Sequence, residues 1–194
     1  MIISFGGNAG SGKSTIAQML ADKLGWPRYY IGGLRREKAR ERGLTLAEYN
    51  KLGETDPATD FEVDEYQKEL AGKEDNFVIE GRTSWYFIPQ SLKIFLTVDE
   101  KVGAERILAE LKQANSRNEA VVETVEEMIA INRDRKESDE RRYRKFYQDI
   151  EVYNPKNFNF VVDTTDLTPE QVFSIVYNHV QDQLSQVDKT QRML

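Results

Sequence analysis

Apolar residues along this chain follow two alternating rhythms. Residues 2–5 (IISF) form a short, nearly continuous apolar run that ends in a glycine loop, the pattern of a strand buried on both faces. From Lys13 to Leu24 the period lengthens: Ile16, Leu20 and Leu24 share one helical face, with Met19 beside them, and Gly25 suits the C-terminal stop. Residues 28–31 read as a weaker second strand. Helices are predicted at 34–42, at 46–52 behind Thr45, and at 57–72 opened by Pro57. Residues 76–80 (NFVIE) and 92–98 (LKIFLTV) are the third and fourth strands. Helices at 100–114 and about 119–148 follow, broken around 115–118. A fifth strand at 158–162 (FNFVV) leads to a closing helix at 169–187 capped by Thr168.

Short apolar strands alternating with helices imply an α/β fold with a parallel sheet covered on both faces. Such sheets bind ligands at the carboxyl ends of their strands. That rule gathers Gly7, Gly32, Gly81 and the start of the 100s helix on one rim.

The 194 residues suffice for one domain with a proper core, and no repeat or linker marks a second. The chain has no cysteine, which rules out disulfides, thiolate metal sites and cysteine nucleophiles and accords with a reducing, cytoplasmic setting. The opening MIISFGG has no basic segment before its apolar run, and that run is too short for a signal peptide or a membrane span. A net charge of −6 argues against a general nucleic-acid binder. The charge is uneven, however: residues 133–145 (RDRKESDERRYRK) are arginine-rich, while 54–80 are mostly acidic. A basic segment in an acidic chain points to a local anion site.

Gly7, Asn8, Ala9, Gly10, Ser11, Gly12, Lys13 and Ser14 match G-x-x-x-x-G-K-[ST], with Thr15 following. The glycines let the backbone curl so that successive N–H groups face phosphate oxygens, and the helix from Lys13 adds its positive end. Lys13 supplies a mobile cation for the β- and γ-phosphates, and Ser14 is the expected Mg²⁺ ligand. The match lies between the first strand and the first helix, where this chemistry requires it. The expected co-substrate is ATP with Mg²⁺.

The reaction is narrowed by what surrounds the loop. An N-K-x-D guanine reader is absent. The third strand ends in Glu80-Gly81-Arg82, a carboxylate followed by a cation, which suits a transfer site: Glu80 for a Mg²⁺-bound water and Arg82 for an acceptor phosphate. Transfer between two anions needs the donor, the moving group and the acceptor neutralised together, and arginine's planar fork suits that work. Arg36, Arg82, Arg106 and the 133–142 group are the candidates. Arg135, Asp139 and Arg142 are spaced four and three apart on one helix face, so Asp139 can orient its arginines or form an ordinary salt-bridge ladder. Tyr143 and Tyr147, four apart, can stack on a base but are expected to pack that helix against the sheet. The lone His179 lies on the last helix, far from the rim, and reads as a surface or packing residue.

Several stretches resemble the short cytidylate kinases of archaea and some bacteria, within the P-loop nucleoside monophosphate kinases. They are GGNAGSGKST at 6–15, RREKARERGLTLAEYNKL at 35–52, DPATDFEVDEYQKELA at 56–71 and VIEGR at 78–82, with KIFLTVDEKVGAERI at 93–107, RKESDERRYRKFY at 135–147 and VVDTTDLTPEQV at 161–172. The resemblance implies a three-layer α/β/α P-loop NTPase fold with a five-stranded parallel sheet of order 2-3-1-4-5. It also implies one kinase domain over 1–194, with a monophosphate-binding region at about 33–72 and a lid at about 106–142. The implied reaction takes ATP and CMP or dCMP to ADP and CDP or dCDP, with Mg²⁺. Arg36 and Arg82 match positions that hold the acceptor phosphate, Arg106 the arginine at the lid entrance, and Arg135, Asp139 and Arg142 the lid-proximal set. Asp60 and Asp64 match the acidic positions of the monophosphate region, where a carboxylate can accept from cytosine's exocyclic amine and uracil presents a carbonyl instead. The chain departs from the family at Ile31 before Gly32, at Arg35 before Arg36, in the bulky Thr83-Ser84-Trp85-Tyr86 and in a lid tip carrying Arg117 alone. A kinase for another small acceptor, or a regulatory ATPase, uses the same phosphate loop.

Overall fold

A computed structural model of the chain describes residues 1–113, 122–147 and 150–191. Five strands form one parallel sheet: β1 (Ile2–Gly7), β2 (Arg28–Tyr30), β3 (Phe77–Glu80), β4 (Leu92–Thr97) and β5 (Phe160–Asp163). Their order is β2-β3-β1-β4-β5, the expected 2-3-1-4-5. The helices are α1 (Lys13–Leu24), α2 (Ile31–Glu41), α3 (Leu46–Gly53), α4 (Ala58–Lys73), α5 (Ser84–Phe87), α6 (Glu100–Gln113), α7 (Val125–Phe146) and α8 (Pro169–Gln191).

Register fixes the functional rim. Phe5 pairs with Glu80, Tyr30 with Glu80, Gly7 with Leu96 and Thr97 with Asp163, so all five strands end at one level. On one face of the sheet, Ile3, Phe5, Val78 and Leu96 pack against Ile16 and Leu20 of α1 and Val176 and Val180 of α8. On the other, Ile2, Phe77 and Ile79 meet Ile31, Val63 and Leu70 from α2 and α4. Ser4 interrupts the apolar run of β1, but its hydroxyl is paired with that of Ser91 at 2.7 Å, so no polar group is stranded there.

Local chemistry sets most helix starts. Thr45 and Glu48 make a reciprocal capping box on α3, and Thr124 and Glu127 do the same on α7. Thr168 and Gln171 exchange two such bonds at α8. Three boundaries differ from the periodicity. Ile31 opens α2 instead of ending β2, because its side chain is drawn into the α2–α4 core. The short turn α5 follows Arg82, where the periodicity assigns no element, and β5 begins at Phe160, two residues later than the pattern places it. α7 starts at Val125; Arg117 and the expected helix start near 119 lie outside the described residues. His179 stacks on Phe160 with ring centroids 3.9 Å apart, on the side of the sheet away from the rim. Among the described residues no helix is long and apolar enough to cross a membrane.

Candidate active site

The rim opens into a cleft of about 900 Å³ whose floor is the loop from Gly7 to Thr15. The loop is held by backbone geometry that side chains would obstruct. Gly10 has φ 74°, and a Cβ there would lie 2.2 Å from the carbonyl oxygen of Gly103 in α6. Gly12, also left-handed, is the N-cap of α1, so the first helical residue is Lys13. The Lys13 ammonium folds over the loop and donates to the carbonyls of Gly7 at 2.9 Å and Asn8 at 2.5 Å. Asn8, Ala9 and Ser11 line the same floor.

One residue on, the Ser14 hydroxyl donates to Oε2 of Glu80 at 2.6 Å. Glu80 closes β3 and is buried; its other oxygen accepts from Nε of Arg28 at 2.8 Å, and the second guanidinium nitrogen makes the same ion pair. Arg28 is turned toward α1 by the Gln18 side chain, which accepts from it at 2.7 Å. A hydroxyl and a carboxylate meeting at the foot of a phosphate loop are hard oxygen donors of the kind Mg²⁺ takes, so these residues fit that ion.

The far side of the cleft carries Arg36, Asp60, Asp64, Arg82 and Arg135. Arg36 is buried and bonds the Gly32 carbonyl at 3.0 Å and the Tyr30 hydroxyl. Behind this wall runs a chain of alternating charges. Arg35 meets Asp60 at 2.6 Å, Asp60 meets Arg142 at 3.0 Å, Arg142 meets Asp139 at 2.8 Å, and Asp139 meets Nε of Arg82 at 2.6 Å. The Asp60–Arg142 contact joins charges without an aligned hydrogen bond. Tyr153 adds a hydroxyl to Asp139 at 2.6 Å. Burial alone would raise the Asp139 carboxyl, but the guanidiniums of Arg82, Arg142 and Arg135 outweigh it and hold the group below the usual aspartate range. Burial would likewise discharge Arg82, and Asp139 reverses that, keeping it firmly cationic.

Four of the expected site residues have their local partners defined by this arrangement, and Asp60 and Arg106 line the cleft. Arg142 and Asp139 do not line the cleft; both are fully buried behind it, where Asp139 fixes Arg82. Asp60 has its two oxygens facing Arg35 and Arg142, so its local work is to hold cations. Arg106 stands on the opposite side of the phosphate loop. It donates to the carbonyls of Thr164 at 2.8 Å and Thr165 at 3.1 Å, in the turn between β5 and α8. Thr164 in turn reaches the Ser11 carbonyl at 3.3 Å.

Asp64 sits in a polar pocket of its own. It accepts from Thr83 at 3.0 Å, from the Gln67 amide at 3.1 Å and from the Tyr147 hydroxyl. Burial pushes its carboxyl up to about 6, against the opposing pull of the Tyr147 and Thr83 hydrogen bonds. Arg28, Tyr30 and Tyr153 were not singled out by sequence, and Thr83 and Tyr147 were not read as partners of Asp64. Their signal is spatial: Arg28 reaches Glu80 because β2 lies beside β3, and Tyr147 reaches Asp64 because the end of α7 lies beside α4.

Taken together, the cleft has a glycine-rich loop suited to a triphosphate, a hydroxyl–carboxylate pair suited to a hard cation and, in the same lining, guanidiniums suited to a second anion. That arrangement is chemically suited to phosphoryl transfer between two phosphates. Comparison with solved structures gives the same fold: a shikimate kinase from Bacteroides thetaiotaomicron superposes with a TM-score of 0.63 at 19% identity, covering 95% of this chain and 98% of that one. Sequence relatives are closer. A cytidylate kinase of Methanobrevibacter smithii is 34% identical over 176 residues, 91% of this chain and 96% of its own. One from Pyrococcus furiosus is 36% identical over 177 residues, covering 91% and 86%. The model of the cytidylate kinase-like family matches residues 2–166, which contain the phosphate loop, the Glu80–Arg82 strand end and the arginine helix, and the chain belongs to that family.

Proposed function

We propose that this protein transfers the γ-phosphoryl group of ATP to CMP or dCMP, giving ADP and CDP or dCDP. The observation that carries the reading is the Lys13 loop and the Arg36–Arg82 pair facing each other across one cleft. In this assignment residues 7–15 bind the ATP phosphates, with Lys13 moving from its own loop carbonyls onto the β- and γ-oxygens. Ser14 would hold Mg²⁺ directly and Glu80 through a water; when bound, the ion neutralises the phosphate oxygens between which the group passes.

Arg36 and Arg82 take the acceptor phosphate, and Arg135 of α7 joins them on the transferred group. Asp139 and Arg142 act through Arg82 as positioning residues. Asp64, ionised at neutral pH, accepts from the exocyclic amine of cytosine. Arg106 belongs to the nucleoside end of the ATP site beside Thr164. The acceptor is already an anion, so no general base is needed, and the step is an in-line displacement from which α7 excludes water. Within this single domain, residues 33–72 serve as the monophosphate region and 106–142 as the lid.

The test is ADP release with ATP and Mg²⁺ against CMP, dCMP, UMP, AMP and GMP, with Lys13→Ala as the blank. CMP and dCMP should stimulate turnover at least tenfold more than UMP, and the variant should show none. Equal stimulation by all five, or by none, refutes the assignment.

A further inference from the structure

Tyr30 is the last residue of β2 and stands at the mouth of the cleft, with 39% of its surface exposed. An aromatic residue so exposed at a sheet edge is ordinarily free to change rotamer, yet three sides of this one are fixed. Its ring lies flat on the first turn of α2: a Cβ on Gly33 would come within 2.6 Å of Tyr30 Cδ1, and one on Gly32 within 2.9 Å of Cε2. Two guanidiniums lie over the ring, Arg28 at 5.3 Å and Arg36 at 5.7 Å from its centroid. Its hydroxyl accepts a hydrogen bond from Arg36. The same Arg36 nitrogen also reaches the Gly32 carbonyl at 3.0 Å, so ring, glycine turn and guanidinium form one packed unit.

We propose that Tyr30, seated on the Gly32–Gly33 turn, is the positioning residue that sets Arg36 for the acceptor phosphate. Arginine has substantial rotamer entropy to lose when it grips an anion. Holding its fork in place beforehand reduces that cost and tightens acceptor binding. The inference rests on Arg36 receiving the acceptor phosphate, and its test separates the two claims. Gly33 is the informative lever. It lies inside a helix, where alanine is intrinsically better than glycine, and the atoms in the way of a Cβ are those of the Tyr30 ring.

The experiment is steady-state kinetics with the best acceptor of the monophosphate panel, together with thermal melting, on Tyr30→Phe, Gly33→Ala, Arg36→Ala, Tyr30→Ala and the Tyr30→Ala, Gly33→Ala double variant. Tyr30→Phe should raise the acceptor KM about fivefold and leave kcat and the ATP KM within twofold. Gly33→Ala should raise the acceptor KM by a similar factor without lowering Tm, and should add nothing when Tyr30 is already alanine. If Arg36→Ala raises the acceptor KM while both Tyr30→Phe and Gly33→Ala leave it within twofold, the role given to Tyr30 is wrong and that of Arg36 stands. If Arg36→Ala leaves the acceptor KM unchanged, the assignment of Arg36 fails and the inference fails with it.

Discussion

Asp139 holds Nε of Arg82 at 2.6 Å while the same carboxylate binds Arg142 at 2.8 Å, and the aspartate is entirely shielded from solvent. A buried Arg142 and a cleft-lining Arg82 can stay this close only with an anion between them. Removing that anion takes from Arg82 its carboxylate partner and leaves Arg142 only Asp60, which Arg35 already shares, and breaking a buried pair in this way costs about 3–5 kcal/mol. Asp139→Ala is therefore expected to melt well below the parent. Asp139→Asn, which retains shape and some hydrogen bonding, should fold and show a raised acceptor KM as Arg82 loses its anchor. Chemical denaturation and acceptor titration measure the two effects.

The Ser14–Glu80 contact makes a second expectation specific. Glu80→Gln keeps the size of the side chain and its bond to Ser14 but leaves the Arg28 cation without its carboxylate. The Mg²⁺ concentration for half-maximal rate should rise several-fold and kcat fall about tenfold to a hundredfold, while ADP affinity measured without metal changes little. An unchanged Mg²⁺ dependence would place the metal elsewhere.

Asp64 should leave a signature in pH dependence. Burial raises its carboxyl from 3.8 to about 6, so the folded chain binds this proton more tightly than the unfolded chain does. The associated stability is present below about pH 4 and is lost as pH rises through 6, by roughly 3 kcal/mol. Subtracting the pH–stability curve of Asp64→Asn from that of the parent should isolate this fall between pH 4 and 6.5. In the same window the preference for CMP over UMP should decline as pH drops below 6, because a protonated acid no longer accepts from the cytosine amine. Acceptor competition at pH 5.5 and 7.5 checks it.

Gly103 lies inside α6, where alanine would ordinarily stabilise the helix. A Cβ there, however, would approach the carbonyl oxygen of Ala9 in the phosphate loop to 2.7 Å. Gly103→Ala should therefore weaken ATP binding about tenfold and leave the acceptor KM within twofold. Equilibrium titration with ADP measures the first effect, and equal weakening at both sites would contradict the close packing of loop on helix.

The strands, the phosphate loop and most helix caps are legible in the chain because they depend on neighbours in sequence. Ile16, Leu20 and Leu24 declare a helix face, and Lys13 and Ser14 declare their chemistry through the glycines before them. The partners of Glu80, Asp64 and Asp139 are not legible in the same way. Arg28 is 52 residues from Glu80 and Tyr147 is 83 from Asp64, and each pair forms through strand order or helix docking. Helical spacing puts Arg135, Asp139 and Arg142 on one face but cannot tell which meets solvent; the Asp60 carboxylate on α4 and Arg82 at the end of β3 decide that Arg142 and Asp139 turn inward. Ile31 shows the same limit at a boundary: its apolar side chain reads as strand, and the α2–α4 core claims it for a helix.

The most direct measurement is product identification after incubating the protein with ATP, Mg²⁺ and an equimolar mixture of CMP and UMP. A cytidylate kinase forms CDP and ADP in equal amounts, with UDP well behind, and the Lys13→Ala variant forms neither. ADP appearing without CDP would show hydrolysis in place of transfer, and equal CDP and UDP would remove the discrimination assigned to Asp64.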